Sequence, residues 1–147
     1  MRAEKGPPSN SRPRVWTSAK TILKKIKHVE AFDNRRRHKL RIAVKKLRYA
    51  CEFFAGLFNS QKQTAQRKRF GSILKTLQGS LGALNDIEVH KRLAVTIAHP
   101  RKRSRKQADK ALAMGFIAGQ EHQQIASCIA AAEKTGKQLS DSPKFWN

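Results

Sequence analysis

Acidic residues are scarce in this chain: 10 Asp and Glu stand against 32 Lys and Arg in 147 residues, a formal charge of +22. That imbalance requires a polyanion in any account of function, though it does not choose among polyanions. The few acids are scattered singly apart from Asp86 and Glu88. Hydrolysis or phosphoryl transfer would want carboxylates grouped to hold Mg²⁺, and that grouping is missing. Neither a GxxxxGK[ST] phosphate loop nor an HExxH pair occurs, and the five histidines lack zinc spacing. The expectation is no enzyme, no metal and no cofactor.

Cysteine is nearly absent. Cys51 and Cys128 are too few to staple a secreted fold and form no CxxC pair, so a reducing cytoplasm is expected. Residues Met1 to Arg14 contain no apolar core segment, which argues against a signal peptide, and no run approaches the length of a membrane span. Aromatic residues make up only 7% of the chain. Phe53, Phe54, Phe58 and Phe70 read more simply as core than as platforms for stacked bases, which tilts the ligand towards phosphate alone.

What the sequence does contain is helical periodicity. Pro7, Pro8 and Pro13, among Gly, Ser, Asn and charge, mark residues 1–14 as a flexible basic tail. Residues 15–147 are expected to form a single all-α domain, an antiparallel bundle of about four helices. From Trp16 to Phe32 there is weak helical character, with Ile22, Leu23, Ile26 and Val29 on one face. Asp33 and Asn34 offer N-caps for a helix from about Arg35 to Phe58. Its core stripe is Leu40, Val44, Leu47, Cys51, Phe54 and Phe58, with Ala43 and Ala50 at the edge. A third helix begins near Gln63 and buries Phe70, Ile73, Leu74, Leu77, Leu81 and Leu84. A kink or restart is expected between Gly79 and Asp86, because glycines weaken a helix and Asn and Asp favour caps. His99-Pro100 ends that segment, and Arg101 to Lys106 forms a second basic cluster. The last helix, about Lys106 to Lys137, is expected to bury a face of small residues: Ala108, Ala111, Leu112, Gly115, Ala118, Gly119, His122, Ile125, Ala126 and Ile129. His122 then reads as a core histidine.

The second helix carries the functional signal. At 100° per residue, His38, Arg41, Lys45 and Arg48 fall within about a quarter-turn, opposite the core stripe. Between Arg35 and Arg48 there are eight Lys or Arg and no acid. The i,i+4 pairs that ordinarily offset such repulsion are missing there, which points to a counter-charge supplied by a ligand. Arg41 and Arg48 are separated by a rise of roughly 10 Å, suited to a linear chain of phosphates. Arg offers a planar fork to phosphate oxygens and Lys a point charge. Tyr49 could bond a phosphate, and is read instead as an edge of the core.

The run His38-Lys39-Leu40-Arg41-Ile42-Ala43-Val44-Lys45-Lys46-Leu47-Arg48-Tyr49, followed by Glu52-Phe53-Phe54, resembles the signature helix of the CHAD family, the conserved histidine α-helical domain. Leu77-Gln78-Gly79-Ser80-Leu81-Gly82-Ala83-Leu84-Asn85-Asp86 resembles the family's following helix. Weaker echoes are Gly115-Phe116-Ile117-Ala118-Gly119 and the closing Pro143-Lys144-Phe145-Trp146, so the resemblance runs over roughly residues 35 to 146. It implies a helical domain that binds inorganic polyphosphate without catalysis and associates with polyphosphate granules in the cytoplasm. Many family members consist of two four-helix bundles around a basic groove. This chain has length for one, and that one looks like the C-terminal half. Either its surface works alone, or it pairs with a second copy or a complementary half.

Carried onto this sequence, the resemblance assigns phosphate contact to His38, Arg41, Lys45 and Arg48. Lys46 points elsewhere on the helix, and Lys75 on the third helix could flank the same groove. Asn85 and Asp86 match motif positions and are expected to cap a helix or orient an Arg. Two other readings stay open: a nucleic-acid-binding basic module, and a scaffold half that needs a partner bundle.

Overall fold

Apolar residues at three- and four-residue steps become helices throughout. The computed structural model describes residues 11–57, 60–98 and 105–145, and contains α1 (Ser11–Ile26), α2 (Asn34–Phe53), α3 (Gln61–Ala98) and α4 (Arg105–Asp141). A 3-10 turn, Phe54–Leu57, follows α2, and no strand occurs among the described residues. The all-α bundle expected from the sequence is thus present. Of the expected tail, residues 1–10 lie outside the described residues, while Ser11 to Arg14 belong to α1. Also outside them are Phe58, His99-Pro100, most of the Arg101–Lys106 cluster, and Trp146.

One core joins all four helices. Ala19, Ile22 and Ile26 enter it from α1, Leu40, Val44, Leu47 and Cys51 from α2, Phe70, Leu74, Leu77, Leu81 and Leu84 from α3, and Ala132 and Leu139 from α4. Phe145 closes one end, its ring 5.6 Å edge-on from Phe70. Ala43, Ala50, Phe54 and Ile73 pack partly buried around this cluster, as their edge positions imply. Phe53 does not: it is 82% exposed, because it sits nearly opposite Leu47 and Cys51 on the turn.

The α1–α2 connection orients the functional helix. α1 stops at Ile26, short of Phe32, where His28 and Val29 donate N–H bonds to the carbonyls of Lys25 and Ile26 and tighten the chain into turns. Val29 is thereby folded into the core. Asp33 then caps α2, its carboxylate accepting the Arg36 N–H at 2.7 Å. Arg37 locks the corner, donating from Nε to the Val29 carbonyl (3.3 Å) and from a terminal nitrogen to the Glu30 carbonyl (3.1 Å).

Two expectations are corrected. α3 continues without restart through Gly79 to Asp86 and on to Ala98. Leu81, Leu84 and Ile87 are buried along that stretch, and their burial outweighs the roughly 1 kcal/mol that each glycine costs a helix. Asn85 and Asp86 are therefore interior helical residues and cap nothing. In α4, the small-residue face from Ala111 to Gly119 is exposed, as are His122 and Ala126. The buried series instead runs through Glu121, Ala132, Thr135, Gly136 and Leu139, with Ile125, Cys128 and Ile129 half-buried. α1 meets α4 around Ile26 and Gly136, and among the described residues only α3 packs on the N-terminal half of α4.

At Gly136 a methyl group would stand 2.5 Å from Ile26 Cγ2, whereas at Gly82 it would meet nothing within 4 Å. Gly136→Ala is expected to destabilise the fold by about 1–3 kcal/mol through overpacking. Gly82→Ala should stabilise it by up to about 1 kcal/mol through helix propensity. Urea midpoints followed by circular dichroism give both signs, and an unchanged midpoint for Gly136→Ala would contradict the α1–α4 approach.

Candidate polyanion site along the α2–α3 seam

Burial of Leu40, Val44, Leu47 and Cys51 sets the rotation of α2, and the cations fall where that rotation leaves them. Arg41 and Arg48 sit about 90° around the helix from the centre of the buried stripe. They and Lys45 are accordingly half-buried, on the flank of the helix rather than back to back with its core. His38 and Lys46 are exposed.

The flank faces α3. A groove of about 490 Å³ is lined by Arg35, Arg37 and His38 from α2 and by Asn85, Glu88 and Arg92 from α3. At the other end of α2, Arg67 is close enough to Cys51 to act on its thiol. The two helices therefore run antiparallel, with Arg67 near the C-terminus of α2 and Arg92 near its N-terminus. Between these ends, Arg37, Arg41 and Arg48 recur at steps of four and seven along the same flank.

Three guanidinium Nε atoms in this region, on Arg41, Arg48 and Arg67, are buried without a hydrogen-bond partner. A buried donor left unpaired costs about 1–3 kcal/mol. Arg48 Nε lies 3.4 Å from Glu52 Oε1 without hydrogen-bond geometry. This i,i+4 pair corrects the expectation of a row wholly free of counter-ions. Glu52 is largely exposed, however, and such pairs contribute little. In the groove, Glu88 similarly stands 3.5 Å from Arg92. The first turn of α2 holds no acid of its own, and the Asp33 carboxylate at its N-cap offsets the positive end of the helix.

Lys75 is exposed on α3 and does not line the groove, so it is not brought together with His38. Asp86 is exposed, while Asn85 lines the groove beside Arg37 and Arg92. Arg35, Arg67 and Arg92 were not legible as partners of the row, because two of them come from α3 and sequence spacing on one helix cannot register another. Tyr49 is also corrected: it is 47% exposed and stands among the cations, its ring centroid 5.7 Å from Lys45 Nζ and 5.1 Å from Arg48 Cζ. Among the described residues no group of three or more His, Cys, Asp or Glu could hold a metal ion. No described helix is long and apolar enough to cross a membrane.

A family model for the CHAD domain matches residues 2–95. The chain belongs to the CHAD domain family. No match to a curated protein or to a solved structure was found. The CHAD match begins well before residue 35, ahead of the signature helix, and takes in α1, α2 and nearly all of α3. The echoes at Gly115–Gly119 and Pro143–Trp146 fall outside the matched segment.

Cys51, under this seam, is pushed up to about 12 by burial, reinforced by the Glu52 charge and only partly opposed by Arg67. Cys128 is raised by burial alone. A raised thiol favours the neutral form in the folded state. Its stabilising contribution is full below pH 9.0 and is lost as pH climbs from there towards about 12. At pH 8, a disulfide reagent should modify Cys128 slowly and Cys51 more slowly still, with both equally fast in denaturant. Rapid native modification of Cys51 would contradict its burial against α3.

Proposed function

We propose that this chain binds inorganic polyphosphate without catalysis, along the α2–α3 seam, and associates with polyphosphate granules in the cytoplasm. The observation that carries the reading is the half-buried row Arg41, Lys45 and Arg48, in which the buried Arg41 Nε has no hydrogen-bond partner and Arg48 is ion-paired only with exposed Glu52. Linear polyphosphate offers oxygens at every repeat and nothing else, which matches donors arranged along a helix flank. The groove at Arg35, Arg37, His38 and Arg92 extends the row at one end, and Arg67 extends it at the other. Membership of a family whose domain binds polyphosphate supports the same ligand. Lys46 and Lys75, both exposed, take the role of attracting the anion rather than seating it.

A second reading, a nucleic-acid ligand, is favoured by one specific observation. Tyr49 and Phe53 are exposed one turn apart beside Lys45 and Arg48, an arrangement on which bases could stack.

Titration with polyphosphate of graded length should show saturable binding that weakens with salt. The Arg41→Ala, Lys45→Ala, Arg48→Ala triple variant should keep its helical circular dichroism and lose at least about tenfold in affinity, with a shallower salt dependence. A folded triple variant that binds as tightly as its parent would remove the seam from consideration. Competition separates the ligands: polyphosphate should displace a labelled probe at lower phosphate-unit concentration than RNA or DNA. Phe53→Ala should leave polyphosphate affinity unchanged. If it weakens RNA binding while RNA competes better, the second reading replaces the first.

A further inference from the structure

Among the described residues, α3 and α4 beyond the reach of α1 and α2 pack on each other alone, and large apolar side chains there stay in solvent. Leu93 and Val95 on α3, with Leu112, Phe116 and Ile117 on α4, are between 48% and 78% exposed. Large apolar side chains clustered on one surface, rather than scattered singly, mark an interaction site. The patch has two parts. A groove of about 630 Å³ runs between the helices over Leu93, Val95, Met114, Ile117 and Ala118. On the outer side of α4, away from half-buried Met114 and buried Glu121, Leu112 and Phe116 form a ridge at a spacing of four. Gly115 and Gly119 flank that ridge with open space around them.

Charge decides what can cover this surface. Residues 93–98 and 111–120 contain no Lys, Arg, Asp or Glu, in a chain whose formal charge is +22. Elsewhere a second copy would bring cations onto cations. Here two copies meet across a largely apolar surface, with Lys91 and the His90–Glu121 pair among the groove walls, and one hairpin carries both the ridge and the groove that an isologous contact requires.

We propose that the α3–α4 hairpin pairs with the same hairpin of a second copy, the Leu112–Phe116 ridge of each chain seating in the other's groove. A two-fold axis fills both grooves at once. Five large side chains per partner, together with the groove walls, supply the apolar centre of an interface, which at standard size buries about 800 Å² on each side.

Light-scattering mass of the full chain, measured over a wide concentration range in polyphosphate-free buffer, tests the pairing independently of the ligand reading. The chain should weigh twice its monomer mass. Leu112→Glu and Phe116→Glu, both at exposed positions, should each retain helical circular dichroism and raise the dimer dissociation constant at least about tenfold. Phe53→Ala, outside the hairpin, should remain dimeric. A monomer at every concentration would overturn the proposal, as would a dimer indifferent to both glutamates. Open-ended growth in mass would overturn the two-fold arrangement in favour of head-to-tail contacts.

Discussion

The rotation of α2 about its own axis governs the rest of this structure. Leu40, Val44, Leu47 and Cys51 lie against the core, each burial contributing on the order of 1.5–3 kcal/mol for a large aliphatic side chain. Like-charge neighbours along a helix cost only about 0.2–0.5 kcal/mol per pair. Burial therefore wins, and the helix accepts eight cations between Arg35 and Arg48 without an acid among them. A slip of one residue would turn the helix by 100° and carry the whole row away from α3.

The ends of that helix are treated differently. At its start, the Asp33 cap and the Arg37 bonds to Val29 and Glu30 tie the first turn to the incoming chain, so the groove with Arg92 is built on a braced corner. At its end, the 3-10 turn lets Phe54 pack on the core while Phe53 and Tyr49 face solvent. The cationic seam thus joins a fixed end to an aromatic one.

Legibility of the fold followed burial by single helices. The α2 and α3 stripes came through because each helix presents one apolar face to a common core, and Asp33 was readable as a cap because capping is local. The α4 stripe misled because periodic small residues signal only that a face could be buried, and Ala111 to Gly119 extend past the helices that would cover them. Glycine and Asn-Asp in α3 suggested a break that packing of Leu81, Leu84 and Ile87 overrides. For the site, the row on α2 was visible in its spacing. Its half-burial and the contributions of Arg67 and Arg92 were not, since both depend on how α3 is laid against α2.

The unequal lengths of the helices carry a hydrodynamic consequence. α3 has 38 residues and so extends roughly 57 Å, nearly twice the roughly 30 Å of the 20-residue α2. A rounded globule of this chain length has a radius of gyration of about 15 Å. The hairpin therefore gives a single chain more friction than its mass warrants. It should tumble anisotropically and leave a sizing column ahead of compact proteins of the same weight.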